Sequence, residues 1–166
     1  MQVIAYIGRG GLVYYKTKFG SNKAEDMQNC IKEVFEHLAR TIPLSEVVIM
    51  LDNAPCHSHI EDAFEPSPSG TPTLLRLGPY SPMLNPIESV FSAFKADVKR
   101  TLRIRRTELL SIPPNTTIKA HRAHILEQAT EVALPEITPQ LCWKCYMHTR
   151  KFYQTVLNME GVEVGR

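Results

Sequence analysis

The chain has 166 residues, of which 43% are hydrophobic and 22% are charged, so it has room for one folded domain or one domain with a short appendage. These figures exclude a multidomain assembly on this chain and also exclude wholesale disorder. No apolar run is long enough to cross a bilayer and the N-terminus has no charged leader, so we predict no membrane association and no secretion. The net charge of +2 indicates no class of partner by itself.

The first part of the chain alternates between strand and helix patterns. Residues 3–7 and 12–19 are rich in β-branched and aromatic side chains and flank a glycine-rich turn, which predicts a β-hairpin. A helix is predicted from residue 23 to residue 40, because apolar side chains recur there at helical spacing. Asn22 is predicted to cap this helix, with Glu25 completing a capping box.

A buried central strand is predicted at residues 47–51, where a continuous apolar run favours a strand covered on both faces. Polar residues begin immediately afterwards with Asp52. The ends of buried strands are where α/β proteins usually place their chemistry, so this position is a candidate site. A short helix around residues 58–64 and a strand at residues 73–77 are predicted to follow.

A long helix is predicted at residues 86–102, with Asn85 as its N-cap, a proline at its first position and Glu88 at its third. Residues 95–106 hold six cations and one acid, a local charge of +5, and the rest of the chain sums to −3. This stripe is either a surface for a phosphate backbone or only a solvated helix face. Its cations are Lys95, Lys99, Arg100, Arg103, Arg105 and Arg106.

The last part of the chain is predicted to be a helical extension at 107–166, following a core at 1–106. A proline-containing linker leads into a helix at residues 117–134, and Thr138 is predicted to cap a final helix that Gly161 ends. Two histidines of the first of these helices are expected at the surface: His121 and His124.

The four cysteines do not have the spacing of a disulfide framework, so we predict a reducing compartment: the nucleus in a eukaryote and the cytoplasm otherwise. Cys142 and Cys145 form a C-x-x-C pair with His148 nearby, but no second ligand pair accompanies them. We therefore favour buried cysteines and expect no zinc site. Cys56 beside His57 could form a nucleophilic pair, which we disfavour because no oxyanion donor or orienting acid is identifiable.

Asp52 and Glu88 are the candidate catalytic residues. Thirty-five residues separate them, and a carboxylate at a strand end can converge with one at a helix start. Converging carboxylates bind hard divalent ions such as Mg²⁺, and two such ions support phosphodiester chemistry. Each residue also has a simpler interpretation: Glu88 could complete a helix cap, and Asp52 could begin an Asx turn.

Two segments around these acids resemble the catalytic core of mariner-superfamily DDE transposases. Residues 51–57 read LDNAPCH and residues 79–88 read PYSPMLNPIE, and the resemblance extends over about residues 3–106. It implies a ribonuclease H-like mixed α/β sheet flanked by helices, and DNA strand cleavage and transfer that depends on Mg²⁺ or Mn²⁺. It also implies that Asp52 and Glu88 are the second and third of three metal-binding carboxylates. Further motif residues would shape the site: Asn53, His57, Pro79, Tyr80, Ser81, Pro82, Asn85 and Pro86.

The first carboxylate that the resemblance implies has no counterpart here, because residues 1–24 contain no Asp or Glu. We therefore expect the first strand of the sheet and its Asp to be missing, and this chain to be inactive alone. DNA is the expected partner, and a homodimer or a longer transposase chain could supply what is absent. Two alternatives stay open: a non-catalytic, transposon-derived module that binds DNA or protein, and a decayed reading frame.

Overall fold

The computed structural model describes residues 1–79 and 81–158. In chain order its main elements are β1 (Gln2–Gly8), β2 (Gly11–Lys18), α1 (Ala24–Leu38), β3 (Val48–Leu51), β4 (Thr73–Arg76), α2 (Pro86–Ile104), α3 (Arg106–Leu110), α4 (Ile118–Ala133) and α5 (Pro139–Leu157). The chain divides into two compact units. The first comprises Met1, Val3–Phe19 and Pro86–His148. The second comprises Gln2, Gly20–Asn85 and the described residues from Thr149 onward.

Strands β1 and β2 pair with each other, which confirms the predicted hairpin. Gly11 begins β2 with φ +99°, a backbone conformation that glycine adopts without the strain of a Cβ. A Cβ at Gly11 would lie 3.1 Å from the backbone nitrogen of Pro139. Glycine is thus required here both by the positive φ and by the close approach of the start of α5.

The core of the first unit lies between α2, α4 and α5. Helix α2 contributes one buried apolar face, as its spacing predicts, and partly buried residues of the hairpin pack against the same cluster. Cys142 and Cys145 of α5 are buried in this cluster. The remaining buried members are Val90, Phe94, Val98, Ala129, Ala133, Leu134 and Ile137.

Two threonines cap helices of the first unit, and the cap at Thr138 follows the sequence prediction. The Thr117 hydroxyl accepts a hydrogen bond from the Ala120 N–H at 3.1 Å, and the Thr138 hydroxyl accepts one from the Leu141 N–H at 3.2 Å. The predicted end of the last helix at Gly161 lies outside the described residues. His121 is only 7% exposed, so the prediction of a surface position is wrong, whereas His124 is exposed.

The burial of His121 reflects a contact with another helix. Its Nε2 lies 2.9 Å from the carbonyl oxygen of Glu108 in α3. The same carbonyl also accepts a hydrogen bond from the Ser111 N–H at 3.0 Å, so the imidazole adds a second contact at the end of α3.

Helix α1 begins one residue later than predicted. The Asp26 carboxylate accepts a hydrogen bond from the backbone N–H of Lys23 at 2.7 Å, so Lys23 is the N-cap residue, and Asn22 and Glu25 do not form the predicted capping box. The Asn22 N–H instead donates to the side-chain oxygen of Gln2 at 3.2 Å.

Strands β3 and β4 pair in parallel and form the sheet of the second unit. Ile49 and Leu51 are buried, but Val48 is 61% exposed and Met50 is half-buried. The prediction that both faces are covered is therefore wrong for β3. The alternation indicates that one face of this two-stranded sheet lies on the core and the other is largely open to solvent.

The segment after β3 packs on α1. Two short 3₁₀ turns, Pro55–His57 and Ile60–Ala63, replace the single helix predicted here, because His59 between them has φ 56° and interrupts a right-handed helix. The Gln28 side chain of α1 donates to the His59 carbonyl at 2.6 Å.

Among the described residues, no helix combines the length and apolar character needed to cross a membrane.

Candidate active site

Asp52 lies directly after the last residue of β3, as predicted. Its Oδ1 accepts a hydrogen bond from the Ala54 N–H at 3.0 Å and lies 2.8 Å from Nδ1 of His57. The hydrogen bond from the Ala54 N–H forms an Asx turn, which was the simpler interpretation of Asp52 in the sequence analysis. Both contacts fall on one oxygen, and in the described part of the chain we find no donor to Oδ2. The side chain is 40% exposed.

His57 supports this arrangement from the first 3₁₀ turn. Its side chain is only 14% exposed, and its Nδ1 also lies 3.2 Å from the Asp52 carbonyl oxygen. With a proton on Nδ1, the imidazole donates toward Asp52 and fixes the carboxylate in one orientation. Nδ1 of His57 therefore serves to orient the Asp52 carboxylate.

Arg76 is a site residue that sequence reasoning missed. It ends β4 and pairs in register with Leu51, so it stands beside the strand end that carries Asp52. Its guanidinium donates to the His57 carbonyl at 2.7 Å and to the Glu61 carboxylate at 2.6 Å. A third nitrogen lies 3.5 Å from the Asp52 carbonyl, too far for a strong bond. The parallel pairing that brings the two strand ends together cannot be read from the sequence, so no sequence signal pointed to Arg76.

The Arg76–Glu61 contact also changes proton affinities. The hydrogen bond from Arg76 is the largest cause that lowers the pKa of Glu61 from 4.5 to about 2. The same contact raises the pKa of the guanidinium above its usual value. Both groups therefore stay charged throughout the physiological range.

Asn53 connects the same loop to β4. Its side-chain amide donates to the Leu77 carbonyl at 2.5 Å, just past the end of that strand. The structure thus brings Asp52, Asn53 and His57 together on one side of the second unit.

The second motif segment forms the approach to α2. The Ser81 hydroxyl donates to the Pro79 carbonyl at 3.2 Å, and Pro82 begins a short 3₁₀ turn. The Asn85 N–H donates to the Pro82 carbonyl at 3.1 Å, and Asn85 is 8% exposed. Helix α2 then begins at Pro86, as predicted. Tyr80 of this segment lies outside the described residues.

Glu88 is exposed in the first turn of α2, where a carboxylate also complements the helix dipole. It belongs to the first unit, whereas Asp52 belongs to the second. Within residues 1–79 and 81–158, no group of three or more His, Cys, Asp or Glu side chains could hold a metal ion.

The predicted basic stripe divides into two sets. Arg100 pairs with Asp97 at 2.9 Å, and Arg105 donates to Glu108 and to Gln128. The other four cations are exposed, and among the described residues they form no ion pair. We call these four the cationic face: Lys95, Lys99, Arg103 and Arg106. They recur every three or four residues, which places them along one side of α2 and the start of α3.

The cysteines behave as buried thiols. Cys142 and Cys145 are 4% and 7% exposed, and burial raises the pKa of each thiol. Burial is also the main cause that raises the pKa of Cys56, with the nearby Asp52 charge acting in the same direction. A thiol with a raised pKa is a poor nucleophile at neutral pH, which argues against the Cys56–His57 pair.

Comparison with known proteins relates this geometry to a family. A model of the DDE superfamily endonucleases matches residues 1–111. A structure of the Mos1 transposase catalytic domain with raltegravir and Mg superposes with a TM-score of 0.66 at 15% identity, covering 98% of this chain and 76% of that one. The Mos1 mariner paired-end complex with Mn gives a TM-score of 0.61 at 16% identity, covering 97% of this chain and 44% of that one.

Comparison with curated proteins found no match. The two superpositions confirm the ribonuclease H-like α/β fold that the sequence predicts. The family model covers about two thirds of the 166 residues, including both motif segments. This chain therefore belongs to the DDE superfamily endonuclease family.

Proposed function

We propose that this chain is a transposase-type catalytic domain whose Asp52 and Glu88 bind Mg²⁺ or Mn²⁺ for DNA strand cleavage and transfer, and that it is inactive alone because residues 1–24 hold no first carboxylate. The observation that carries the proposal is the state of Asp52 at the end of β3. One carboxylate oxygen is anchored by the Ala54 N–H and His57, and the other has no protein donor in the described residues. Such a carboxylate is already oriented before a cation arrives.

The donor set suits a hard divalent cation. Mg²⁺ binds carboxylate oxygens, keeps several of its waters and commonly uses one or two protein carboxylates. Asp52 would supply Oδ2, and Glu88 would supply its exposed carboxylate from the first turn of α2. When bound, the metal would activate a water or hydroxyl and stabilise the leaving oxygen of a phosphodiester.

We propose that the other motif residues position the two carboxylates and take no part in the reaction themselves. His57 orients Asp52, and Asn53 holds the same loop to the end of β4. The buried Asn85 and its short 3₁₀ turn lie directly before α2, and the first turn of that helix carries Glu88. We assign to Pro79, Tyr80, Ser81, Pro82 and Pro86 the shaping of that same approach.

DNA is the proposed partner, bound along α2. The cationic face presents four exposed charges that no carboxylate of the described residues neutralises. Contacts to phosphates release counterions, so such binding weakens steeply with salt. Arg100 and Arg105 are each paired with a carboxylate, so we propose that they contribute less to DNA affinity than the cationic face does.

Mn²⁺ binding to the purified chain tests the metal assignment, with calorimetry as the measurement. Asp52→Asn and Glu88→Gln are each expected to weaken Mn²⁺ binding by at least about tenfold, since each removes a charged ligand. Glu36→Gln is the matched control, because Glu36 is an exposed acid of α1 with no proposed role. Unchanged Mn²⁺ affinity in both site variants would refute the assignment.

The second candidate function is a non-catalytic DNA-binding module derived from a transposase. It is favoured by the lack of any Asp or Glu in residues 1–24 and by the absence, in the described residues, of a group of three metal-binding side chains. This candidate predicts metal-independent, salt-sensitive binding to duplex DNA. Changing the cationic face to glutamine should abolish that binding, and full duplex affinity in this variant would exclude it.

The cellular setting and assembly are also proposals. The cysteine spacing, which is not that of a disulfide framework, supports a reducing compartment: the nucleus in a eukaryote, or the cytoplasm otherwise. This chain spans 44% of the Mos1 chain in the paired-end complex. We propose that a second copy or a longer transposase chain supplies the carboxylate that residues 1–24 lack.

A further inference from the structure

Arg76 joins separate parts of the second unit, and it lies outside both motif segments. One nitrogen of its guanidinium donates to the Glu61 carboxylate at 2.6 Å, and another donates to the His57 carbonyl at 2.7 Å. The side chain comes from the last residue of β4, which pairs in parallel with the last residue of β3. A cation on a paired strand therefore holds both ends of the segment from His57 to Glu61.

The His57 end of this contact leads to the proposed metal ligand. His57 presents its carbonyl to Arg76 and its ring to the Asp52 carboxylate, with 2.8 Å between Nδ1 and Oδ1. The same Oδ1 accepts the hydrogen bond from Ala54. A shift of the His57 backbone would move the ring and release the carboxylate from its orientation. The contacts thus run without a break from Glu61 through Arg76 and His57 to Asp52.

We propose that Arg76 is a positioning residue for the metal site: it fixes His57, and through His57 it fixes the Asp52 carboxylate, while Glu61 fixes Arg76. The inference rests on the proposed function, because it concerns cation affinity at Asp52. Removing the partners behind a metal ligand typically lowers metal affinity by about 10- to 100-fold. Arginine suits the role, since its planar guanidinium donates to two acceptors at once in fixed directions.

The loop that carries Asp52 has other supports, but they lie on either side of His57. The Asn53 side chain ties the start of the loop to the end of β4, and helix α1 holds the carbonyl of His59. Between these two anchors, Arg76 contacts the residue whose ring reaches Asp52. We therefore expect loss of Arg76 to loosen His57 locally, while the rest of the loop stays in place.

The charge of Arg76 has the opposite effect on cation binding, which separates two explanations of its role. A guanidinium beside Asp52 repels an arriving divalent ion, and the Glu61 carboxylate offsets part of that repulsion. If only charge mattered, Arg76→Met would strengthen Mn²⁺ binding. If Arg76 positions Asp52, the same substitution weakens it. The sign of the change in Mn²⁺ affinity decides between the two explanations.

Calorimetric titration of the full chain with Mn²⁺ measures that sign. Arg76→Met is expected to weaken Mn²⁺ binding by about tenfold, the lower end of the range for such partners. Glu61→Leu should weaken it less, and the double variant should match Arg76→Met alone, because Glu61 acts through Arg76. Arg40→Met is the matched control, because Arg40 is an exposed cation of the same unit with no proposed role. Circular dichroism verifies that each variant is folded.

Amide hydrogen exchange without metal separates positioning from a general loss of stability. The Ala54 N–H donates to Asp52 and reports on its carboxylate, and the Lys23 N–H is the reference because it donates to an aspartate of the same unit. In Arg76→Met, followed by NMR in EDTA, we expect Ala54 to lose protection while Lys23 keeps it. A purely structural role would change both amides alike.

Three outcomes would overturn the inference. The first is tighter or unchanged Mn²⁺ binding in Arg76→Met when Asp52→Asn weakens it. The second is protection at Ala54 that is retained, or lost equally with Lys23. The third is a double variant whose loss is the sum of the two single losses, which would mean that Glu61 acts without Arg76. If Asp52→Asn and Glu88→Gln leave Mn²⁺ affinity unchanged, the proposed function fails, and selective loss of protection at Ala54 would still support positioning of Asp52 by Arg76.

Discussion

Replacing Arg76 with methionine is expected to lower the free energy of unfolding by about 1–2 kcal/mol. The bond that decides this figure joins the guanidinium to the part-buried His57 carbonyl at 2.7 Å. Hydrogen bonds to charged groups contribute about 1.5–3 kcal/mol, and the 28% exposure of the Arg76 side chain lowers this toward 1–2. The contact to the Asp52 carbonyl at 3.5 Å is too long to add much. Methionine keeps the apolar stem, so little packing is lost.

Urea unfolding followed by circular dichroism at 222 nm measures the change. Arg100→Met is the matched control, because Arg100 is 60% exposed and pairs with Asp97 one turn away on the surface of α2. Surface pairs of this kind contribute about 0.5 kcal/mol or less. Equal losses in the two variants would refute the reasoning, because they would mean that the bridge from β4 to His57 contributes no more than a surface ion pair.

Two further predictions concern stability alone. The Glu61 pKa is lowered from 4.5 to about 2, so the stabilisation by its bond to Arg76 is present above about pH 4.5 and is lost as the pH falls toward 2. Glu61→Gln should flatten the pH dependence of urea unfolding in that window, and an unchanged slope would contradict the cause assigned to the shift. Gly11→Ala is expected to cost about 1–3 kcal/mol through its positive φ, and Gly10→Ala, where no heavy atom lies within 4 Å of the added Cβ, should cost much less. Equal thermal shifts in the two glycine variants would contradict the close approach to Pro139.

The local elements of the chain could be predicted because their causes are local. Thr117 and Thr138 cap helices through bonds to residues three positions away, and the apolar spacing of α2 matches the face that is buried. The two motif segments pointed to the right family, because the family model that matches residues 1–111 includes both of them.

The features that could not be predicted depend on contacts between elements distant in sequence. His121 is buried because α3 offers it a carbonyl, and Arg76 contacts His57 because β3 and β4 pair in parallel. Val48 is exposed because its sheet leaves one face open, which an apolar run cannot reveal. The metal roles of Asp52 and Glu88 stay predictions that the Mn²⁺ experiment tests.

The double anchoring of Asp52 Oδ1 affects the entropy of ligand binding. A surface aspartate samples several rotamers and loses that freedom when it coordinates a cation. Asp52 has already lost it during folding, through the Ala54 N–H and His57. One of the few protein ligands is therefore ordered before the cation binds. Less conformational entropy is lost on binding, so the free energy of cation binding is more favourable.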